Sequence, residues 1–451
     1  MISQLFRSSR ERGVGKRSVP TDLIIGGAGL AGLRIGLAVL KADRTQRVII
    51  LEKEKHTGGR VATYYSSDHK IQWEMGAGRI STQHTKTLSL LKKYGLHTIP
   101  ISSESDWRSK DRLPISSESD WRSDDTDSTL PNPFTELCAI YLDPLKALDP
   151  RVLATHTIEQ LLKKTVGPLK TSRFLALFPY HAETHTLRAD LALRSFDEEM
   201  GHHEFVVCRE GLSALTEAMA AEFLERGGEI HHGITITGVQ QKTNGMRVDV
   251  EHNHDTQHDK GMYEGNAVVL TMPCDVLKKI TMPVLPILKH LAMEPLVRIY
   301  AVFPLQNGKS WFPQTKIVTD GPLRYIIPMN PKQGTIMISY MEGPDTDKWF
   351  HFPKEKLTKE LMKEVRRLFP HLEIPEPTVV KRYPWVQGCS YWLPGNYDVE
   401  EESHASLQPD PRVPLFLAGE SFAVKQCWME SALYQADHLV ALPAFRIRLR
   451  I

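Results

Sequence analysis

The chain has 451 residues, 41% of them hydrophobic and 24% charged, with a formal net charge of +2. That length supports two or three domains with sizeable cores, and the balance excludes wholesale disorder and gives no electrostatic reason to expect nucleic acid as a partner. No apolar run approaches the ~20 residues needed to span a bilayer, and residues 436–451 are too short and too basic for an anchor.

The first 17 residues are basic, with Arg7, Arg10, Arg12, Lys16 and Arg17 against Glu11. Their low apolar content reads as a basic tail over residues 1–18, the alternative being an organelle-targeting segment. The five cysteines (Cys138, Cys208, Cys274, Cys389, Cys427) lack metal-ligand spacing, so no metal is expected. An odd, sparse set suits a reducing compartment, and the expected address is the cytosol.

A short apolar strand over residues 23–25 enters Gly27, Gly29 and Gly32, spaced G-x-G-x-x-G, and Leu30 and Ala31 open an apolar helix. Gly27 suits a tight turn, Gly29 lets backbone approach a pyrophosphate, and Gly32 lets helix and strand pack closely. The helix N-terminus is then aimed at the phosphates. A second strand over 47–51 ends in Glu52, twenty residues after Gly32, where a carboxylate binds an adenosine ribose. Strand, triad, helix, strand and acid in that order predict a dinucleotide site.

Residues 83–95 read as a helix ending at Gly95. The segment from Pro100 to Ser109 then recurs unchanged from Pro114 to Ser123. Two copies are too few for a solenoid, and the polar, turn-prone composition reads as a surface loop over 100–130. Residues 134–200 are rich in helix formers, with a further helix over 212–226. Strands are expected over 230–239, 246–251 and 265–270, the last two forming a hairpin. Its turn, 251–258, carries His252, His254 and His258 and reads as a solvated tip, with metal binding the alternative. Further strands are expected over 297–303, 325–328 and 335–340, a helix over 354–369, a strand over 415–419 and a closing helix over 429–442. The fold class is α/β: a Rossmann-like domain from segments 19–80, 205–290 and 405–445, with an inserted α+β domain from 81–204 and 291–404.

Several motifs now stand in order: the glycine run with Glu52; Gly58-Gly59-Arg60; Glu74 through Gly76, Ala77, Gly78 and Arg79; Gly419-Glu420; and Trp428-Met429-Glu430. Together they resemble the flavin-containing amine oxidase family, which includes monoamine, polyamine and L-amino acid oxidases. The resemblance spans about residues 20 to 440 and implies FAD as cofactor. It also implies a small amine or amino acid as substrate and O2 as electron acceptor. It places Gly59 and Arg60 at the flavin pyrophosphate, where a guanidinium fork suits phosphate geometry. Ala77, Gly78 and Arg79 lie along the flavin and ribityl chain, Ile236 lends its backbone to the adenine, and Gly419, Glu420 and Met429 close the site.

By the same resemblance, Trp428 forms one aromatic wall. Ser390 stands where a cage tyrosine is expected, so Tyr391 or Trp392 substitutes as the second wall or packs in the core. Cys389 aligns with the cysteine that some relatives join to the flavin. Arg79 either pairs with a substrate carboxylate, as in L-amino acid oxidases, or makes a structural salt bridge. Arg298 replaces the strand lysine that holds a water near the flavin. An arginine keeps the charge without serving as a base, which leaves a dehydrogenase or desaturase, or an inactive flavin-bound interaction protein, as alternatives to an oxidase.

Overall fold

The computed structural model describes residues 21–101, 105–108, 136–200, 204–254, 257–312 and 315–451. The strand Thr21–Gly26 lies inside a seven-stranded sheet, paired in parallel with Val48–Glu52 on one side and Gln257–Leu270 on the other. Leu23, Ile24 and Ile25 are fully buried. A central parallel strand is covered on both faces, which is why this run shows no polar alternation. Glu229–His232 and Leu415–Leu417 extend the parallel part, and the antiparallel strands Ile234–Lys242 and Gly245–His254 complete the sheet. With neighbours from opposite directions along the chain, the loop after Gly26 opens at a topological switch point, where such sheets receive ligands.

The helix Leu30–Ala42 packs between Ser213–Glu225 and Met429–Ala441. Gly36 leaves room for the Phe223 ring, and Arg34 pairs with Asp437 at 2.7 Å. The last long helix therefore closes on the first. Residues near both ends of the chain reach one site in this way.

A second, six-stranded sheet runs in the order Val379–Trp392, Leu291–Val302, Thr335–Glu342, Tyr325–Asn330, Lys316–Thr319, Ser105–Arg108. Alternation sends Val297, Ile299 and Ala301 to one face, where Leu357, Leu361 and Val365 of the helix Lys354–Leu368 cover them. The opposite face carries Arg298 and Tyr300 toward Trp73 and Glu74, with the Trp73 and Tyr300 rings stacked at 4.9 Å. The helices Pro150–Thr155, Ile158–Thr165, Pro168–Leu177, His181–His185 and Ala189–Met200 lie in the region expected to be helical.

Four segments differ from expectation. The single strand over 230–239 is two strands broken at Gly233, whose φ of +71° only glycine adopts without strain. The first copy of the duplicated segment is not merely loop: Thr98–Ile101 pairs with Phe205–Cys208, and Ser105–Arg108 pairs with Lys316–Thr319. Its second copy, like the basic tail, lies outside the described residues. The long strand Val379–Trp392 was not anticipated, because Pro384 and Gly388 interrupt its pattern; as an edge strand it tolerates the proline. The histidine-bearing turn is narrower than expected, since its strands reach His254 and restart at Gln257.

Candidate active site

The glycine loop is shaped as a cradle. Gly27 has φ +104°, and its N–H donates to Leu51 O at 2.8 Å, tying the turn to the second strand. A Cβ on Gly32 would lie 2.1 Å from Gly27 O, so that glycine serves packing. A Cβ on Gly29 would meet only Gly58 O at 3.7 Å, and one on Gly59 only the Gly29 Cα at 3.8 Å. Gly29 and Gly59 thus present open backbone to each other across a gap. Gly29 caps the helix with no side-chain hydrogen bond and no acid in the first turn, so the first-turn N–H groups of Leu30, Ala31 and Gly32, ahead of the Leu33 N–H that donates to Gly29 O, remain available to an anion. Glu52 is held beneath the loop, accepting from Ala28 N at 2.7 Å and Glu54 N at 2.9 Å. Ile236 packs its side chain against Gly26, placing its strand at the same end of the sheet. These residues fit the phosphates and ribose of a dinucleotide.

Arg60 lies on the far side of this gap. Its Nη2 pairs with Glu420 Oε2 at 2.7 Å and its Nη1 donates to Gly388 O at 3.1 Å. Glu420 is a hub: its Oε1 also accepts from Ser390 Oγ at 2.6 Å, Ser390 N at 3.2 Å and Cys427 N at 2.8 Å. Gly419, at φ +120°, turns the chain into that position. The cage position Ser390 therefore faces this hub and is fully buried. Cys389 is half-buried and its thiol meets that of Cys427, which also contacts Ser390 O at 3.5 Å. Cys427 itself sits at φ +70°, and the turn it makes delivers Trp428 and Met429 to the start of the closing helix.

The turn carrying Ala77, Gly78 and Arg79 is bound to the Arg60 segment, with Ala77 N donating to Arg60 O at 2.9 Å. A Cβ on Gly78 would stand 3.2 Å from Arg298 Nη1. Arg298 also donates to Glu74 O at 3.2 Å and lies 5.3 Å over the Tyr340 ring, while its buried Nε has no hydrogen-bond partner. Burial pushes the Glu74 carboxyl up to about 7, against its bonds from Thr63 Oγ1 and Leu212 N.

Arg79 has its guanidinium carbon 4.7 Å from the Phe205 ring centre and 5.6 Å from that of Trp428. Beside it is Lys316, pushed down to about 8 by burial and by the Arg79 charge. The two predicted wall residues on the edge strand part company. Trp392 is fully buried and donates its indole N–H to Ala423 O at 2.9 Å, a packing position. Tyr391 borders a small cavity with Glu183, Gln426 and Cys427, and its buried hydroxyl has no partner.

Sequence reasoning passed over Lys316, Phe205, Glu183, Tyr340, Glu342 and Gln426. Lys316 offered a signal, as the one cation in an apolar strand of four residues. Glu342 closes an otherwise apolar strand in the same way.

The sequence profile of the family described as flavin containing amine oxidoreductase matches residues 30–438. L-Amino-acid oxidases of Vipera ammodytes ammodytes and Protobothrops flavoviridis are each 31% identical over 101 residues, 22% of this chain and 20% of theirs. The chain thus aligns with about a fifth of the length of the curated relatives it matches. Among solved structures, cyclohexylamine oxidase from Brevibacterium oxydans IH-35A superposes with a TM-score of 0.69 at 15% identity, covering 95% of this chain and 100% of that one. Putrescine oxidase bound to putrescine gives 0.70 at 16% identity, covering 94% and 98%. At that identity the likeness establishes the fold.

Proposed function

This chain belongs to the flavin-containing amine oxidoreductase family, and from that premise we propose that it oxidises an L-amino acid, taking O2 as electron acceptor. FAD is the cofactor the cradle suits: Gly27, Gly29, Gly32, Gly59 and the helix start for its phosphates, Glu52 for its ribose, and the turn from Ala77 to Arg79 along the rest. FAD held by these residues would supply the two-electron sink for oxidation of the substrate α-carbon, with O2 reduced to H2O2 as the final acceptor.

The protein's own part is to bind, orient and keep water out. The observation that carries the carboxylate reading is the pairing of two cations, Arg79 and the half-buried Lys316, beside the Phe205 and Trp428 rings. Two like charges brought together out of water favour an anion between them. A carboxylate held there by the Arg79 fork fixes the α-carbon in one orientation. Trp428 and Tyr391 are the proposed aromatic walls against solvent. The substrate loses its ammonium proton to solvent before it reacts, because Arg298 cannot act as a base. Water then hydrolyses the imino acid to an oxo acid and ammonia.

The proposed domain division assigns 19–80, 205–290 and 405–445 to the cofactor domain and 81–204 with 291–404 to the substrate domain. Among the described residues no helix is long and apolar enough to cross a membrane. The test is anaerobic bleaching of the flavin by L-norleucine and by pentylamine, which differ only in the carboxylate; faster bleaching by pentylamine refutes the amino-acid reading. A second reading, a dehydrogenase using another acceptor, is favoured by Arg298 at the position of the family's lysine. Stopped-flow reoxidation decides it, since a reduced flavin indifferent to O2 ends the oxidase reading.

A further inference from the structure

Two of the five cysteines are brought together at the Glu420 hub. Cys389 lies on the edge strand Val379–Trp392, and Cys427 lies in the turn before the closing helix. Glu420 Oε1 accepts from the N–H of Ser390, the residue after Cys389, at 3.2 Å and from Cys427 N at 2.8 Å, so one oxygen pins both backbones. The Cys427 thiol donates to Ser390 O at 3.5 Å and meets the Cys389 thiol. Cys427 holds φ +70°, a conformation that glycine adopts freely and a cysteine only under strain. Cys208 and Cys274 instead face the carboxylates of their neighbours Glu210 and Asp275.

Cys427 is also the sulfur of the pair with a route to solvent. It lines a cavity of about 40 Å³ with Tyr391 and Gln426, and the exposed Arg194 and Lys425 line the same cavity. The hydroxyl of Tyr391, a residue 1% exposed, and Oε1 of Gln426, 8% exposed, have no hydrogen-bond partner. Buried polar groups are ordinarily satisfied, by a small polar molecule where the protein supplies nothing. Hydrogen peroxide has two O–H donors and two oxygen acceptors, which suit an amide oxygen and a hydroxyl together. The volume holds a molecule of two oxygens and excludes an amino acid.

We propose that Cys389 and Cys427 form a peroxide-sensitive dithiol, which hydrogen peroxide entering this cavity converts to a disulfide. This rests on the oxidase reading above for its source of peroxide. The Cys427 thiolate attacks one peroxide oxygen, the O–O bond breaks and hydroxide leaves, giving a sulfenic acid. The Cys389 thiolate then attacks the Cys427 sulfur, the S–S bond forms and a second hydroxide leaves. The two thiol protons turn both hydroxides into water, so the sulfurs lose two electrons and one peroxide gains them. The bond ties the edge strand of the second sheet to the turn that delivers Trp428. Contact with Cys389 and burial hold the Cys427 thiol well above the usual thiol range, so the attack is slow at neutral pH and quickens as pH rises. Glu183, Glu420, Arg60 and Tyr391 also face Cys427, with Arg194 and Lys425 on the cavity wall.

The experiment treats the flavin-loaded full chain with hydrogen peroxide, blocks the remaining thiols and maps the peptides without reduction. Expected is a cross-linked pair of peptides holding Cys389 and Cys427, a chain lighter by two hydrogens, and return of both thiols with dithiothreitol. The rate of thiol loss is expected to rise with pH. Cys389→Ser is expected to stop the cross-link and leave Cys427 as a sulfenic acid that dimedone traps. Should that variant fail to fold, the wild-type peptide map decides alone. Both thiols intact after peroxide, a cross-link through another cysteine, or oxygen added irreversibly without a cross-link would each overturn the dithiol. So would flavin that stays on the Cys389 peptide after acid denaturation. If added peroxide forms the bond while the reduced flavin is indifferent to O2, the dithiol stands and the oxidase reading fails.

Discussion

Arg60 of the second glycine turn and Glu420, at the turn after the strand Leu415–Leu417, are joined by an ion pair at 2.7 Å. The same carboxylate accepts from Ser390 and Cys427, so one side chain fastens three segments that are distant in sequence. Glu420→Ala leaves the Arg60 charge and several donors without an acceptor. A loss on the order of 3 kcal/mol is expected in denaturant unfolding. A change below about 1 kcal/mol would mean the hub is not structural.

Gly29 and Gly32 are expected to respond differently to alanine. Gly32→Ala forces a Cβ against Gly27 O and should lower stability of the flavin-free chain by about 1–3 kcal/mol. Gly29 has a φ of −82° that alanine accepts, and its Cβ would point into open space. Gly29→Ala should therefore leave the melting temperature of the flavin-free chain unchanged while reducing flavin content. Equal flavin content in Gly29→Ala and wild type counts against a phosphate at that gap.

Glu74 makes stability depend on pH. Its folded pKa, about 7, lies above the ordinary glutamate value of 4.5, so the folded state binds its proton more tightly than the unfolded chain. The contribution is complete below about 4.5 and is lost as pH rises to about 7, amounting to about 3 kcal/mol. Thermal unfolding of Glu74→Gln from pH 5 to 8 should decline less than that of wild type. Parallel curves would contradict the assignment.

Lys316 should leave its mark on the substrate profile. Its charge fades as pH passes about 8, so the ratio of norleucine to pentylamine kcat/KM falls above that pH. Lys316→Met is expected to show a lower ratio that is flat through the same range. A wild-type ratio insensitive to pH removes Lys316 from the carboxylate site.

The first sheet was legible because its strands are buried on both faces and its turns need glycine at fixed spacing. Gly27, Gly32 and Glu52 declare themselves by that spacing alone. The second sheet was harder to read. Its edge strand holds Pro384 and Gly388, and the partner of Lys316–Thr319 comes from the duplicated segment, whose polar composition resembles loop. The substrate-facing groups were hidden for another reason. Lys316 and Phe205 come from separate elements and look ordinary in the sequence until the fold sets both against Arg79. Trp392, conspicuous in sequence, is held in the core by Ala423.

The most direct test of the carboxylate site is the anaerobic flavin reduction rate with L-norleucine and with pentylamine, in wild type and in Arg79→Ala. The expected result is a preference for norleucine of at least about tenfold in wild type that disappears in the variant. A preference for pentylamine, or a norleucine preference untouched by Arg79→Ala, would contradict the account.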